Sequence, residues 1–468
     1  MRLDWRVQAL IAEVCSHHLS TRDQRSGYVN RDSRSRRAGV INRSDGRRRV
    51  ALAGGQHGDE QEECESGDSF HQRAGSGVRQ DSRIGVGCRI GNGEARARLL
   101  HFPFSDSMPH VLTSPPLTLP SAFRRVSGII DRLSKGAEGM EFSGDERTVI
   151  APFTGLPFAT LRDATPDDVT RTFERTRTAQ KNWATTDPSE RARVLLRFHD
   201  LVLGHRDDLL DVLQLEGGKA RRHALDEVLD TANVAHYYAR RGPTWLRDDR
   251  RRGAIPIATK TWVQHVPLGV VSINAPWNYP LTMAVTDALP ALMAGNAVVV
   301  KPAEQTPFSA LFARELLLRA GLPDGLFEIV LGSGPDLGEH LIANADGLMF
   351  TGSTATGRVV AQQAAKRLIP MSLELGGKNP LVVLPDCDLA RTVEGVVRAC
   401  FTNAGQLCIS AERLLIHTDI WDTFVPALIA RVRAMRVGQA GWDVEMGVLA
   451  TPQQVEKVDA HVADARAR

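Results

Sequence analysis

Val270-Val271-Ser272-Ile273-Asn274-Ala275-Pro276-Trp277-Asn278-Tyr279-Pro280 is the stretch on which the reading of this chain turns. Its short β-branched run reads as a strand, and the prolines on either side of Trp277-Asn278-Tyr279 end that strand in a turn. Working outward, Leu281–Met293 reads as a helix, Ala297–Val300 as a strand and Phe308–Leu318 as a helix. Leu326–Leu331 and Gly347–Phe350 follow as strands with a short helix, Gly338–Ala343, between them; a helix over Thr356–Arg367 and a strand ending at Leu375 close the series. Strand and helix alternating at this spacing imply right-handed crossovers, so the fold class is α/β, with a parallel sheet covered by helices on both faces. Such sheets bind ligands at the carboxyl ends of their strands.

Upstream, Thr165-Pro166-Asp167-Asp168 supplies a cap, a first-turn proline and two acids for a helix whose Val169, Phe173, Thr176, Ala179 and Trp183 share one face. Asp187-Pro188-Ser189-Glu190 resembles a capping box for a second helix carrying Val194, Leu195, Phe198, Leu201 and Val202. Both helices are expected to cover the sheet, and the Trp and Phe stripe reads as core. Residues 1 to about 107 differ from all of this: they are rich in Arg, Gly, Ser and Asp, and no lysine precedes Lys135. That composition is expected to be disordered, because it buries too little apolar surface to offset its ordering entropy. A start placed too far upstream, with Met108 or Met140 as the alternative, gives the same composition; a basic arm for nucleic acid is disfavoured, since aromatics are sparse and the arginines share no period.

Composition bounds the function. A chain of 468 residues with 42% hydrophobic content can bury a large core, and a net charge of +3 says little about partners, because the excess arginine is concentrated near the N-terminus; no nucleic-acid role is inferred from it. The six cysteines form no CxxC pair and no compact disulfide framework, which points to a reducing cytosol. No apolar run reaches membrane-span length, so a cytoplasmic protein without a membrane partner is expected, and nothing has metal-ligand spacing.

Three groups carry the chemistry. Cys408 lies in Phe401-Thr402-Asn403-Ala404-Gly405-Gln406-Leu407-Cys408-Ile409-Ser410, in a stretch suited to a loop. Glu374 ends an apolar run just before Gly376-Gly377, and Asn278 follows the first strand of the series. Thiol, carboxylate and amide are what oxidising an aldehyde through a thioester requires. Lys301 and Glu304 follow the second strand, where an acid can accept from ribose hydroxyls, and Gly352-Ser353 follow the fourth, opening a helix N-terminus toward a phosphate. Each has a structural reading too: a lone cysteine is most often a small buried hydrophobe, and Cys387 and Cys400 are read that way. His265 and His417 are read as strand-edge residues.

From about Thr165 to Arg468 the chain resembles the NAD(P)-dependent aldehyde dehydrogenase superfamily. The resemblance is carried by Pro276-Trp277-Asn278-Tyr279-Pro280, Lys301-Pro302-Ala303-Glu304-Gln305-Thr306-Pro307, Phe350-Thr351-Gly352-Ser353-Thr354, Glu374-Leu375-Gly376-Gly377-Lys378 and Gly405-Gln406-Leu407-Cys408, in that order. The wording around these motifs is most like bacterial succinate-semialdehyde dehydrogenases. The resemblance implies a Rossmann-like cofactor domain over 129–374 and an incomplete α/β catalytic domain over 375–468, after a non-family extension over 1–128. It implies Cys408 as nucleophile, Asn278 and the Cys408 amide as oxyanion holders, and Glu374 as the base that activates water. It also implies that Ala275, Trp277, Lys301, Glu304, Gly352, Ser353 and Leu375 line a cleft for NAD, with NADP as the alternative.

The sequence departs from that pattern in three places. The family continues past the position of Arg468 with a nicotinamide-ribose motif, further strands and an oligomerisation strand, so little activity is expected of this chain, and the family's homo-oligomer is not carried over to it. Arginines that bind the substrate carboxylate in many succinate-semialdehyde enzymes stand as Thr402 and about Thr286 here, which leaves the aldehyde open. Glu304 favours NAD, since a carboxylate repels the extra phosphate of NADP. The rival reading is a catalytically dead dinucleotide-binding module serving as a regulatory subunit.

Overall fold

Capping chemistry decides where the first helices begin. A computed structural model describes residues 121–255 and 258–467; the arginine runs, the proline-rich segment at 114–120 and Cys15, Cys64 and Cys88 lie outside the described residues. Helix α1, Ser121–Glu138, starts ahead of Ile129 and buries Val126, Ile129, Ile130 and Leu133. Strands β1 (Glu146–Ala151) and β2 (Leu156–Arg162) form an antiparallel hairpin. In α2, Pro166–Thr185, Thr165 and Asp168 exchange the two bonds of a capping box, and Val169, Phe173, Thr176 and Trp183 are buried. Asp187 caps α3, Pro188–Gly204, through the Ser189 amide; the expected reciprocal bond from Glu190 is replaced by an ion pair with Arg193. Helix α4, Arg206–Gly217, ends on Gly218 at φ 68, a conformation that costs glycine little. Helix α5, Arg221–Trp245, follows.

A small exposed hairpin, β3 (Asp249–Arg251) and β4 (Thr261–Val263), leads into β5, Val270–Ala275. The single helix expected over Leu281–Met293 is two: α6, Pro280–Val285, and α7, Ala288–Met293. Pro290 explains the break, because its ring opposes the carbonyl of Thr286, which lies between the two segments. The series continues with β6 (Ala297–Pro302), α8 (Phe308–Arg319), β7 (Phe327–Ile329), α9 (Gly334–Asn344), β8 (Gly347–Thr351), α10 (Thr354–Arg367) and β9 (Met371–Glu374). Strands β5 to β9 form one parallel sheet in the order β7-β6-β5-β8-β9. Val298, Val299 and Val300 of β6 are fully buried, each worth roughly 1.5–3 kcal/mol of transfer free energy. Chain order reverses between β5 and β8, and such a switch point opens a crevice at the carboxyl ends of the strands.

The last part has its own core. Strands β10 (Asn379–Val383) and β11 (Ala411–Ile416) pair in parallel, linked through α11, Leu389–Phe401. Helices α12 (Thr418–Arg433) and α13 (Pro452–Ala467) follow, and Val383, Val396, Val397, Leu414, Phe424 and Leu428 pack together. Cys400 is fully buried in this cluster, its thiol pushed up to about 12 by burial, and Cys387 packs against it. His417 sits at the end of β11, its amide donating to the Val383 carbonyl of β10 at 3.0 Å, and it also caps α12, its Nδ1 accepting from the Asp419 amide at 3.3 Å. No helix among the described residues is long and apolar enough to cross a membrane.

Candidate active site

Three segments remote in sequence meet at the carboxyl edge of the sheet. Asn278 lies in the turn that follows β5, Glu374 is the last residue of β9, and Cys408 lies between α11 and β11. The Asn278 side chain donates from Nδ2 to the Gln406 carbonyl at 2.9 Å, and its own carbonyl accepts from Asn403 Nδ2 at 3.0 Å. The amide-bearing turn and the cysteine loop are therefore bonded directly to each other.

That loop has an unusual backbone. Asn403, Ala404 and Gly405 have φ of 57, 52 and 85, three left-handed residues in succession. Only the glycine adopts this freely; for an alanine it costs about 1–2 kcal/mol, so its surroundings must hold it. They do so at several points. The Asn403 amide donates to His223 Nδ1 at 2.9 Å, and the buried Gln406 side chain donates to the Asn403 carbonyl at 2.9 Å while accepting from the Ala450 amide at 2.8 Å. Past the thiol, Asn379 Nδ2 reaches the carbonyls of Cys408 and Ser410 at 2.8 and 2.9 Å. The cysteine is thus fixed through its backbone on both sides while the residue itself stays exposed.

Although the residue reaches the surface, the loop around it partly desolvates the charged form and raises the Cys408 thiol above its ordinary value, and the negative charge of Glu374 raises it further; the amides of Cys408 and Ile409, bonded to the sulfur, act against both. Glu374 is exposed, because it ends β9 at the outer edge of the sheet. Its carbonyl accepts from the Gly352 amide at 3.0 Å, which joins the turn after β8 to the end of β9. Asp287, which the sequence did not single out, is pushed up to about 6, first by burial and then by the charge of Glu374.

The residues expected to line a cofactor cleft form a second group. Lys301 Nζ donates to the carbonyls of Pro302 and Gly332, each at 3.1 Å, and to Glu304 Oε1 at 3.3 Å. Glu304 also accepts from the Gly334 amide at 2.8 Å; burial raises its carboxyl, but Lys301 and the amide bonds outweigh that and hold it below the usual range. Ser353 caps α10 by accepting from the Thr356 amide at 3.1 Å, and Leu375 lies so close to Gly357 that a side chain there would strike it. Ala275 is buried at the end of β5, whereas Trp277 is half-buried. Among the described residues no cluster of His, Cys, Asp or Glu could hold a metal ion.

Lys219, His223 and Glu227 also went unnoticed in the sequence, although they sit at four-residue spacing beside the apolar face formed by Ala224, Val228, Ala232 and Ala235. Lys219 Nζ donates to the Asn278 carbonyl at 2.8 Å and pairs with Glu227.

Residues 140–468 match the model of the aldehyde dehydrogenase family. The chain belongs to that family. A putative succinate-semialdehyde dehydrogenase [NADP(+)] of Mycolicibacterium smegmatis is 45% identical over 323 residues, covering 69% of this chain and 62% of the relative. The succinate-semialdehyde dehydrogenase [NADP(+)] GabD of Escherichia coli is 36% identical over 330 residues, covering 69% of this chain and 67% of the relative. The crystal structure of an aldehyde dehydrogenase from Brucella melitensis matches with a TM-score of 0.67 at 31% identity, over 69% of this chain and 67% of that one. Betaine aldehyde dehydrogenase from Staphylococcus aureus, in complex with NAD+, matches with a TM-score of 0.66 at 30% identity, over 69% and 65% of the two chains. This aldehyde dehydrogenase family member thus shares the fold of those enzymes while spanning 62% of the length of its mycobacterial relative.

Proposed function

We propose that this protein oxidises a small aldehyde to the carboxylic acid with NAD(P)+ and water, releasing NAD(P)H and a proton. The observation that carries the reading is the bond from Asn278 to the Cys408 loop at the carboxyl edge of a parallel sheet. The Cys408 thiol gives its proton to solvent and the thiolate adds to the aldehyde carbon, giving a thiohemiacetal. Asn278 Nδ2, which has a second N–H, and the Cys408 amide stabilise the oxyanion. A bound nicotinamide supplies the acceptor for the hydride that leaves this carbon. Glu374 then takes a proton from water, whose oxygen attacks the resulting thioester; the C–S bond breaks, and the departing Cys408 thiolate takes that proton back from Glu374.

The donor set suits a dinucleotide. Glu304 stands at the end of the second strand with its side chain one-third exposed, at 33%, and can accept from ribose hydroxyls. The Glu304 carboxylate repels an additional phosphate, so NAD is preferred to the NADP+ in the relatives' names. Succinate semialdehyde is the first aldehyde to try, on those names, although Thr286 and Thr402 each turn their hydroxyls back onto their own helix, to Thr282 and Arg398. The free Cys387, Cys400 and Cys408 fit a reducing cytosol.

The test is stoichiometric. Protein mixed with one equivalent of NAD+ or NADP+ and excess succinate semialdehyde, or a panel of aliphatic and aromatic aldehydes, is read by absorbance of reduced nicotinamide. Formation that disappears in Cys408→Ala is expected; formation that persists in that variant overturns the reading.

A further inference from the structure

Lys219, His223 and Glu227 follow one another at single-turn spacing, about 6 Å of rise apart where the backbone is helical, and all three are buried. Their polar atoms are spent on the two backbones that carry the reacting groups. Lys219 donates to the Asn278 carbonyl at 2.8 Å and stands 4.1 Å from the Tyr279 ring centroid. Glu227 pairs with Lys219 and accepts from the amides of Leu281 and Thr282 at 3.0 and 3.2 Å, just beyond the same turn. One turn away, His223 accepts from the Asn403 amide at 2.9 Å, inside the left-handed run before Cys408. Lys219, just ahead of α5, and Glu227 within it therefore both grip the oxyanion turn, and His223 between them grips the nucleophile loop.

We propose that Lys219, His223 and Glu227 are positioning residues, which set the Asn278 amide in register with the Cys408 thiol. The inference rests on the aldehyde reading above. Without Lys219 the Asn278 carbonyl keeps the Asn403 side-chain amide as donor and loses one of the two bonds that fix the aim of the side chain. Misplacement of a reacting group by about 1 Å typically costs on the order of a hundredfold in rate.

Two reactions at Cys408 separate positioning from general loss of structure. Acylation by p-nitrophenyl acetate, followed as a p-nitrophenol burst, passes through an oxyanion; alkylation by iodoacetamide, followed by peptide mapping, does not. Lys219→Met alone strands a buried carboxylate, so the informative variant is Lys219→Met/Glu227→Gln, whose amide oxygen can still accept from Leu281 and Thr282. It is expected to slow acylation roughly 10- to 100-fold and to leave alkylation within about threefold of wild type. Acylation within about threefold, or an equal fall in both rates, overturns the role of the pair. His223→Leu is expected to slow both reactions by about tenfold, and His223→Gln, whose amide oxygen can accept from Asn403, to restore them. Equal rates in all three proteins, or loss in both variants, overturn the role of His223. A wild-type chain that alkylates at Cys408 without ever acylating overturns the aldehyde reading and this inference together, whereas a burst indifferent to the substitutions overturns this inference alone.

Discussion

At the β6 end of the cleft Lys301 gives its ammonium to three oxygens and Glu304 is anchored on a backbone amide, whereas at the β9 end Glu374 and Cys408 are exposed and held mainly through their backbones. The first arrangement fixes a shape, and the second leaves groups free to meet a substrate. Asn278 belongs to both kinds, because its backbone is locked by Lys219 and Asn403 while its side chain retains an N–H beyond the one given to Gln406. Rigidity here sits behind the reacting atoms, which is where preorganisation lowers a barrier.

If that contrast is right, the largest effect belongs to the residue that joins the two kinds. Asn278→Ala is expected to slow acylation of Cys408 by about 10²- to 10³-fold, read as the p-nitrophenol burst, while iodoacetamide still reacts. Next comes stability: Lys301→Met strands Glu304 and two carbonyls and is expected to cost about 1–3 kcal/mol in urea unfolding. Glu374→Gln, on the exposed side, is expected to stay within about 0.5 kcal/mol. Equal losses in the two variants would erase the distinction between the ends.

Titration sharpens it further. His223 is buried beside Lys219 and Arg222, its folded value pushed down to about 3, first by burial and then by those cations. The unfolded chain binds that proton more readily, so the stability His223 contributes is complete above about pH 6.5 and is lost as pH falls toward 3. The loss between pH 6.5 and 5 is on the order of 2 kcal/mol, and His223→Gln is expected to flatten that part of the urea-midpoint profile. Asp287 has the opposite sign: raised to about 6, it binds its proton more tightly when folded, and its contribution falls as pH rises from about 4 to 6. Asp287→Asn is therefore expected to remove a decline that His223 partly masks.

The smallest effect tests the exposed end itself. Because the charge of Glu374 raises the Cys408 thiol, Glu374→Gln lowers it and is expected to speed alkylation at pH 7.5 by about two- to fivefold. An unchanged rate would place the two groups beyond each other's electrostatic reach.

Much of this arrangement was legible in the chain. Strands β5 and β6 are nearly continuous apolar runs because both faces are covered, and Thr165 and Asp187 marked two helix starts by their capping chemistry. The split between α6 and α7 required weighing Pro290 against an otherwise helical run. The β1–β2 hairpin escaped notice because its strands alternate weakly and one is largely exposed. The site divides in the same way. Cys408, Glu374 and Asn278 stand out by residue type and setting, but Lys219 and His223 act through partners 59 and 180 residues away, a relation that no local spacing encodes. Exposure of Glu374 follows from the place of β9 in the strand order, which a sequence of strands does not reveal.

The most direct test of the central claim, that Cys408 is a nucleophile at the mouth of a nucleotide-holding sheet, is time-resolved iodoacetamide labelling mapped to each cysteine with and without NAD+. Cys408 is expected to label well before Cys387 and Cys400, at a rate that NAD+ alters several-fold. Equal labelling of the three, or a Cys408 rate indifferent to saturating NAD+, would contradict it.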